Sequence, residues 1–324
     1  MCWACIGVVS IPGSPARAQE PVDDPGSIAT VEAMESEEAA GPNVDRQRLP
    51  APPPPRLDTS AEETGPNRGR IHLTLGLDVT NAYFARGIRQ EDRGVVFQPY
   101  ASLALDVYRG SEFSLQANVN TWSSVHSKAT NAVSTDDLLK RWYEQDVAFG
   151  VTATIDQWTV GVQYLWPTSP NGAFETTDEF DLTLAYDDAE LLGAYKLCPS
   201  VLLAVETGSA TGDGVRPTGA YLQLGVCPGF DAELDRGTTL AISFPAQVGL
   251  SLSNYYQDSG GRNDLFGFAA LGVKGSLPLP VHADFGAWSL SVGVSAQFLS
   301  GVCADLNNGS SFEVVGTAGV AVEY

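Results

Sequence analysis

Past its first residues the chain has no run approaching 18 uncharged apolar residues, so no helix in it can span a bilayer. Spanning strands stay open, because a β-strand crosses with only about 9–11 alternating residues. Basic residues are scarce, 18 Lys and Arg against 39 Asp and Glu, for a formal charge of −21. Binding a phosphate backbone needs a basic surface, so nucleic acid is excluded as a partner. Histidine is scarcer still, with three: His72, His126 and His282. His72 is expected at one rim, His126 in an external loop and His282 in a turn, none beside an inward serine. A nucleophile–base pair needs that adjacency. No catalytic residue and no enzyme activity are therefore expected. The five cysteines have no histidine close by, so no metal site is expected. No cofactor is expected either; the Gly-x-x-x-x-Gly-Lys-Ser/Thr phosphate cradle is absent. Thr211-Gly212-Asp213-Gly214 has too few ligands after it for a calcium loop and reads as a hairpin turn. Helical spacing is missing as well; residues 136–142 make at most one turn in a loop.

What the chain does have is alternation. From residue 71 onward there are twelve strand candidates, roughly 71–84, 95–108, 112–123, 141–155, 157–166, 178–187, 196–207, 217–229, 238–253, 265–276, 286–299 and 312–324. The last sets Phe312, Val314, Gly316, Ala318, Val320, Val322 and Tyr324 against Glu313, Val315, Thr317, Gly319, Ala321 and Glu323, most of them polar or small. Period two gives a strand two different faces. The fifth strand opposes Trp158, Val160, Val162, Tyr164 and Trp166 to Thr159, Gly161 and Gln163.

A soluble lipocalin-like barrel or a sandwich would alternate too. Three features favour an apolar face turned to lipid. Aromatics such as Trp158, Trp166, Tyr186, Trp288 and Phe298 sit near strand ends, as a girdle would. The opposite face is rich in Gly, Ser, Thr, Asn and Gln, which suits a wet lumen better than a dry core. The last strand ends on an aromatic, Tyr324. The expected fold is all-β: a membrane-spanning, up-and-down antiparallel barrel of about 12 strands in the bacterial outer membrane, with both termini periplasmic. Closure requires 71–84 to pair with 312–324, setting Tyr324, Val322 and Val320 against lipid beside Leu73 and Leu75.

Ahead of the barrel, residues 1–18 read as a signal peptide cleaved after Ala18. Residues 19–70 read as a disordered Pro/Glu-rich periplasmic linker, including Pro52-Pro53-Pro54-Pro55. Cys2 and Cys5 leave with the signal. Cys198 and Cys227 flank a hairpin symmetrically about residues 211–214, in phase with the lumen, which predicts a disulfide between them. Cys303 falls in the last external loop without a partner.

Asp78, Asp106, Asp146, Asp181 and Glu206 share the lumenal phase. Arg86 continues the even parity of Asp78 and Phe84, near the outer end of a pore. There a guanidinium narrows the lumen or pairs with carboxylates, Asp106 or Asp146 being the expected partners. From residue 71 on there are 28 acidic and 12 basic residues, a balance of −16. Carboxylates lining a pore favour cations. Arg86, Asp78, Asp106, Asp146 and Glu206 are the candidate pore-lining residues.

The run Tyr83-Phe84-Ala85-Arg86-Gly87-Ile88-Arg89-Gln90, with Pro99-Tyr100 and the segment 104–108 after it, resembles the first hairpin of TorF-type porins, a family of bacterial outer-membrane barrels. In that family the first strand runs into a Tyr-x-Phe-Arg-Gly-Ile-Ser-Gln segment; here Phe84 comes one place earlier and Arg89 replaces Ser. The resemblance covers about 40 residues and implies a channel without naming its solute. The leading expectation is thus a small porin-like channel passing small polar solutes, with cation preference. The alternative is a non-conducting structural or surface-binding barrel tethered through its linker. The expected partners are outer-membrane lipid, a small polar solute, and the barrel-assembly machinery reading the strand that ends at Tyr324.

Overall fold

Backbone N–H and C=O groups in an apolar medium must pair within the protein, and an alternating chain does this by closing on itself. In a computed structural model the chain does so. The structure describes residues 69–175, 178–207, 219–234, 238–257 and 261–324. The expected signal peptide, nearly all of the expected linker and the turn at 211–214 lie outside the described residues.

The wall begins at β1 (Ile71–Thr80). A small hairpin, β2 (Tyr83–Ala85) and β3 (Ile88–Glu91), follows and pairs only with itself. The wall resumes with β4 (Val96–Arg109), β5 (Phe113–His126), β6 (Trp142–Ile155), β7 (Trp158–Thr168) and β8 (Glu179–Tyr186). After the short helix α1 (Ala189–Leu192) come β9 (Ser200–Glu206), β10 (Ala220–Val226), β11 (Gly229–Glu233), β12 (Thr239–Ser243) and β13 (Ala246–Ser253). The wall ends with β14 (Phe266–Pro278), β15 (Ala287–Leu299), the helix α2 (Gly301–Leu306) and β16 (Phe312–Glu323).

Every pairing is antiparallel. β10 with β11, and β12 with β13, are single strands interrupted at Cys227-Pro228 and Phe244-Pro245. The register Val226↔Ala246 continues unbroken into Gly229↔Ser243 across both breaks. Proline lacks the N–H that a ladder uses, so each break falls where a donor is missing. Counted this way, twelve strands form the ring, closed between β14 and β15 and between β16 and β1.

The closing seam runs from Thr74↔Glu323 to Thr80↔Thr317. Beyond it Tyr324 N donates to Leu73 O at 2.8 Å and Leu73 N to Tyr324 O at 3.2 Å. The expected pairing of first and last strands is therefore met. Val320 sits outward and half-buried. Val322 differs from expectation: it is on the outer face but only 6% exposed. The 278–287 turn covers it, and Gly286 comes close enough that an added Cβ would lie 2.6 Å from Val322 Cγ2 and 2.8 Å from Glu323 O.

The outward positions of the twelve wall strands carry no Asp, Glu, Lys or Arg. Leu75, Leu103, Phe149, Val162, Leu182 and Val292 are all exposed there. An apolar surface that runs right around a barrel has no stable counterpart in water. Aromatic pairs ring both of its ends. Tyr108–Phe113 and Trp158–Tyr186 have centroids 5.6 and 4.5 Å apart at the terminal end, where residues 71 and 324 lie; Tyr164–Phe180 and Phe298–Phe312, both at 5.2 Å, mark the other. On β7, Trp158 and Trp166 are eight residues apart. At about 3.3 Å per residue and a tilt of about 40°, that is a band of roughly 20 Å.

Connections at the terminal end include two tight turns, at 110–112 and 156–157, besides the 187–199 stretch that carries α1. Gly286 closes one terminal-end turn with φ +86°, a conformation glycine adopts without strain. Gly286→Ala is expected to lose about 1–3 kcal/mol, from the positive φ and from the crowding against Val322 and Glu323. Urea unfolding from lipid vesicles should show a lower midpoint with an unchanged slope.

Candidate functional site

The sequence predicts one strand over 71–84. The structure ends β1 at Thr80 and turns the chain into the barrel. Asn81 makes the corner: its Oδ1 accepts from Gly316 N at 2.6 Å and its backbone N donates to Gly316 O at 3.3 Å. From Ala82 to Ala85 every residue is buried, whatever its parity. The segment is therefore packed on both faces, as an element inside the lumen must be. β2 and β3 meet through a two-residue turn at Arg86 (φ +46°) and Gly87 (φ +85°). Positive φ at both positions is the tight-hairpin geometry that matches strand twist. At Gly87 a Cβ would fall 2.8 Å from the Cβ of Phe268, so no side chain fits.

The hairpin reaches inner faces all round the ring. Tyr83 Oη donates to Glu144 Oε2 on β6 at 2.8 Å. Arg86 pairs with Glu179 on β8. Gly87 lies on Phe268 of β14. Phe84 packs with Val315 of β16, and Arg89 Nη1 lies 3.3 Å from Glu313 on the same strand. From above, Asn307, just past α2, donates to Gly87 O at 2.8 Å and accepts from Arg89 N at 2.6 Å. The hairpin thus crosses the lumen at the loop end. Two apolar clusters fill the space around it, one of Ile88, Tyr221, Tyr256, Phe268 and Val302 with their neighbours, the other of Tyr83, Ala85, Val96, Trp122 and Tyr143 with theirs.

Arg86 is the centre of this plug. Its side chain is 2% exposed and that of Glu179 is 0%. Nη1 and Nη2 donate to the two oxygens of Glu179 at 3.0 and 2.6 Å, a forked pair. Asp181 Oδ1 lies 4.0 Å away. The guanidinium carbon sits 4.2 Å from the centre of the Tyr221 ring and 5.1 Å from that of Tyr255. Tyr256 Oη donates to Arg86 O at 2.8 Å. Burial works against the charged guanidinium, but Glu179, Tyr255, Asp181 and Tyr221 together outweigh it and hold its pKa above the ordinary arginine value. The expected partners, Asp106 or Asp146, are not the ones found. The expectation carried strand parity past residue 80, where the chain has already left the wall.

A second anchor holds the far end of the hairpin. Glu91 accepts from Thr130 Oγ1 and from Arg93, both side chain and backbone. Burial alone would raise its pKa; these donors win and lower it. His126 continues the chain of contacts, with Nδ1 2.6 Å from Thr130 Oγ1 and Nε2 2.8 Å from Ser124 Oγ. It stacks on Tyr143 at 4.8 Å. His126 thus ends β5 instead of lying in a loop, and it does touch an inward serine, contrary to expectation. Ser124 is 0% exposed. As it stands the relay offers a substrate no access, and its visible work is to bind the hairpin to β5.

The other sequence candidates are spread along the lumen. All of Asp78, Asp106, Asp146 and Glu206 face inward. Asp106, at the terminal rim, is saturated: Gln116 donates to it at 2.7 Å, His72 Nε2 lies 3.1 Å away and Arg109 Nε donates at 3.0 Å. Glu206 Oε2 accepts Gly219 N at 2.6 Å. Asp146 is fully buried on β6, beside the plug. Asp78 is half-buried two residues before the loop end of β1, over Gly319. On β14, β15 and β16, Ser289, Ser291, Thr317 and Glu323 are part-exposed and Lys274 is exposed, so polar side chains meet water. The wet lumen expected throughout is confined to this side, since the inward Thr74, Ala104, Gln116 and Asn120 of β1, β4 and β5 are buried. Cys198 and Cys227 are buried at the terminal end, and Cys227 N donates to Leu197 O at 2.6 Å. Cys303 is buried in α2, its thiol pushed up to about 12 by burial. Among the described residues no group of three or more His, Cys, Asp or Glu could hold a metal ion.

No family model and no curated protein matches the chain. Solved structures similar to it include the β domain of the Bordetella autotransporter BrkA, 11% identical over 79% of this chain and 99% of that one, with a TM-score of 0.40. Outer membrane phospholipase A from Escherichia coli is 13% identical over 77% and 92%, with a TM-score of 0.38. The NanC porin is 12% identical over 78% and 98%, with a TM-score of 0.35.

Removing either partner of the Arg86–Glu179 pair strands a buried charge. Arg86→Ala or Glu179→Gln alone should each cost about 3–5 kcal/mol, whereas Arg86→Met combined with Glu179→Leu should recover most of that loss. A double-mutant cycle on equilibrium unfolding reads the coupling; purely additive losses would show that the pair is not a unit.

Proposed function

We propose that this chain is a bacterial outer-membrane channel of porin type for small polar solutes, held closed by its own first hairpin. The observation that carries the reading is the division of the lumen. The loop half is dry and filled by 82–91, while in the other half β14, β15 and β16 carry part-exposed polar side chains into the lumen. The charge-free outer face with aromatics at both ends supports placement in lipid. In this reading the termini are periplasmic, the barrel-assembly machinery engages the strand ending at Tyr324, and the likeness of 83–90 to TorF-type porins reflects a shared plug. Catalysis has no part in it. Cation preference follows from carboxylates such as Asp78 and Glu323 along the open half, set against Lys274.

The second reading, a non-conducting structural or surface-binding barrel, draws on the depth at which Arg86 is buried. One measurement separates the two. In planar bilayers the natural chain should conduct little. A variant with a short Gly/Ser linker in place of residues 83–91 should conduct steadily, with cations preferred. A variant that seals the bilayer as well as the natural chain would establish the non-conducting barrel. Anion preference would sink the charge argument.

A disulfide between Cys198 and Cys227 belongs to the same proposal, since it would fasten the terminal end of this wall. The register Gly225↔Ser200, carried two residues further, sets the two cysteines opposite each other. After denaturation without reductant, the mature chain should offer only Cys303 to alkylation, and after reduction all of Cys198, Cys227 and Cys303. Alkylation of all of them before reduction would show that the bond is absent.

A further inference from the structure

The seat that holds Arg86 is complete without the hairpin. Glu179 and Asp181 come from β8, Tyr221 from β10 and Tyr255 from the loop after β13. Only the occupant belongs to the inserted segment. Its specificity is geometric. Two carboxylate oxygens stand 3.0 and 2.6 Å from two nitrogens of one planar fork, and aromatic rings lie 4.2 and 5.1 Å from its carbon. A forked carboxylate contact combined with aromatic faces suits a guanidinium better than a compact ammonium, which has neither the plane nor the paired donors. The inner wall adds Glu144, Asp146 and Glu206 at the loop end. The inward Lys274 stands on the other side of the plug, beside the open half. An emptied seat therefore keeps a strong demand for one positive charge.

We propose that Glu179, Asp181, Tyr221 and Tyr255 form a binding site for guanidinium-bearing solutes, for which Arg86 is the built-in occupant. This rests on the reading of 82–91 as a removable plug. A soluble guanidinium compound and Arg86 compete for one seat, so the solute binds only as the hairpin withdraws. Its binding then favours the open state by as much as it prefers that state. The segment is suited to leaving as a unit: β2 and β3 pair only with each other, and they join the wall through 81–82 and 92–95.

The test is chemical rescue with methylguanidinium, methylammonium being the control, read by calorimetry on purified protein in lipid nanodiscs. R86A should bind methylguanidinium, about tenfold more tightly than methylammonium. The natural chain should show little heat at the same concentrations, and R86A with E179Q should lose the response. If R86A does not fold alone, the variant with a linker in place of 83–91 also lacks Arg86, and its binding is measured instead. A variant without Arg86 that ignores methylguanidinium, or binds both cations alike, overturns the site. Because the readout is heat and not current, a failed channel reading and a failed binding site are distinguishable. A closed but guanidinium-binding barrel would retain the seat, and a conducting variant that binds nothing would refute it.

Discussion

The structure depends on one buried charge. A barrel with an apolar outside must put its polar residues inside, and the loop half of this lumen collects Glu144, Asp146, Glu179, Asp181 and Glu206 with almost no water. Such a set cannot stand unpaired in a low-dielectric space. Arg86 answers part of it, and it does so from a hairpin that has left the wall. Position in the wall would not serve: a wall strand offers one inward side chain every second residue, in fixed register. A free hairpin can bring a guanidinium to the middle of the lumen and aim its fork across at β8. Arg, not Lys, fits because both oxygens of Glu179 are taken at once and two neighbouring tyrosine rings lie against the guanidinium.

Closure makes that arrangement durable. The ring leaves no strand edge in the spanning region, so the wall is stabilised by ladder hydrogen bonds all the way round. Against this rigid wall the hairpin is held by separable groups: Asn81 at the corner, Arg86 at the tip, Asn307 from above, and Glu91 with Thr130 and His126 at the exit. The wall is one cooperative object. The plug is a second, with its own pairing and its own set of anchors.

This difference also explains what could be read from the sequence. Wall strands obey period two because one face meets apolar surroundings and the other the lumen. All twelve were legible within a few residues, along with the seam between first and last. The plug does not obey that rule. Ala82, Tyr83, Phe84 and Ala85 are apolar on both parities because both faces are packed. Extending the alternation through them placed Arg86 on the wall and chose partners, Asp106 and Asp146, that the geometry does not offer. The signal was there in four consecutive apolar residues followed by Arg-Gly, a break in period and then a residue suited to positive φ. Glu179 was harder to find. It is inward like its neighbour Asp181, but nothing local to 179 says that its partner lies at 86. The Ser124–His126 contact was missed for the opposite reason: β5 runs three residues further than its alternation suggests, carrying His126 from a supposed loop onto the wall.

The boundary between the halves of the lumen follows from side-chain size. In the loop half the inward positions are large: Trp122, Tyr221, Phe268 and Leu299 crowd the hairpin. On β15 and β16 in the other half they are small or polar: Ser289, Ser291, Gly293 and Thr317. A ring of fixed strand number has a fixed bore, so the bulk of its inward residues decides whether water or side chains occupy it. Large inward residues without the hairpin would leave voids that no wall strand could fill, and the hairpin without them would find no surface to pack against. The plug and the inward face of the loop half are thus one packing solution, and the polar residues of the other half mark where that packing stops.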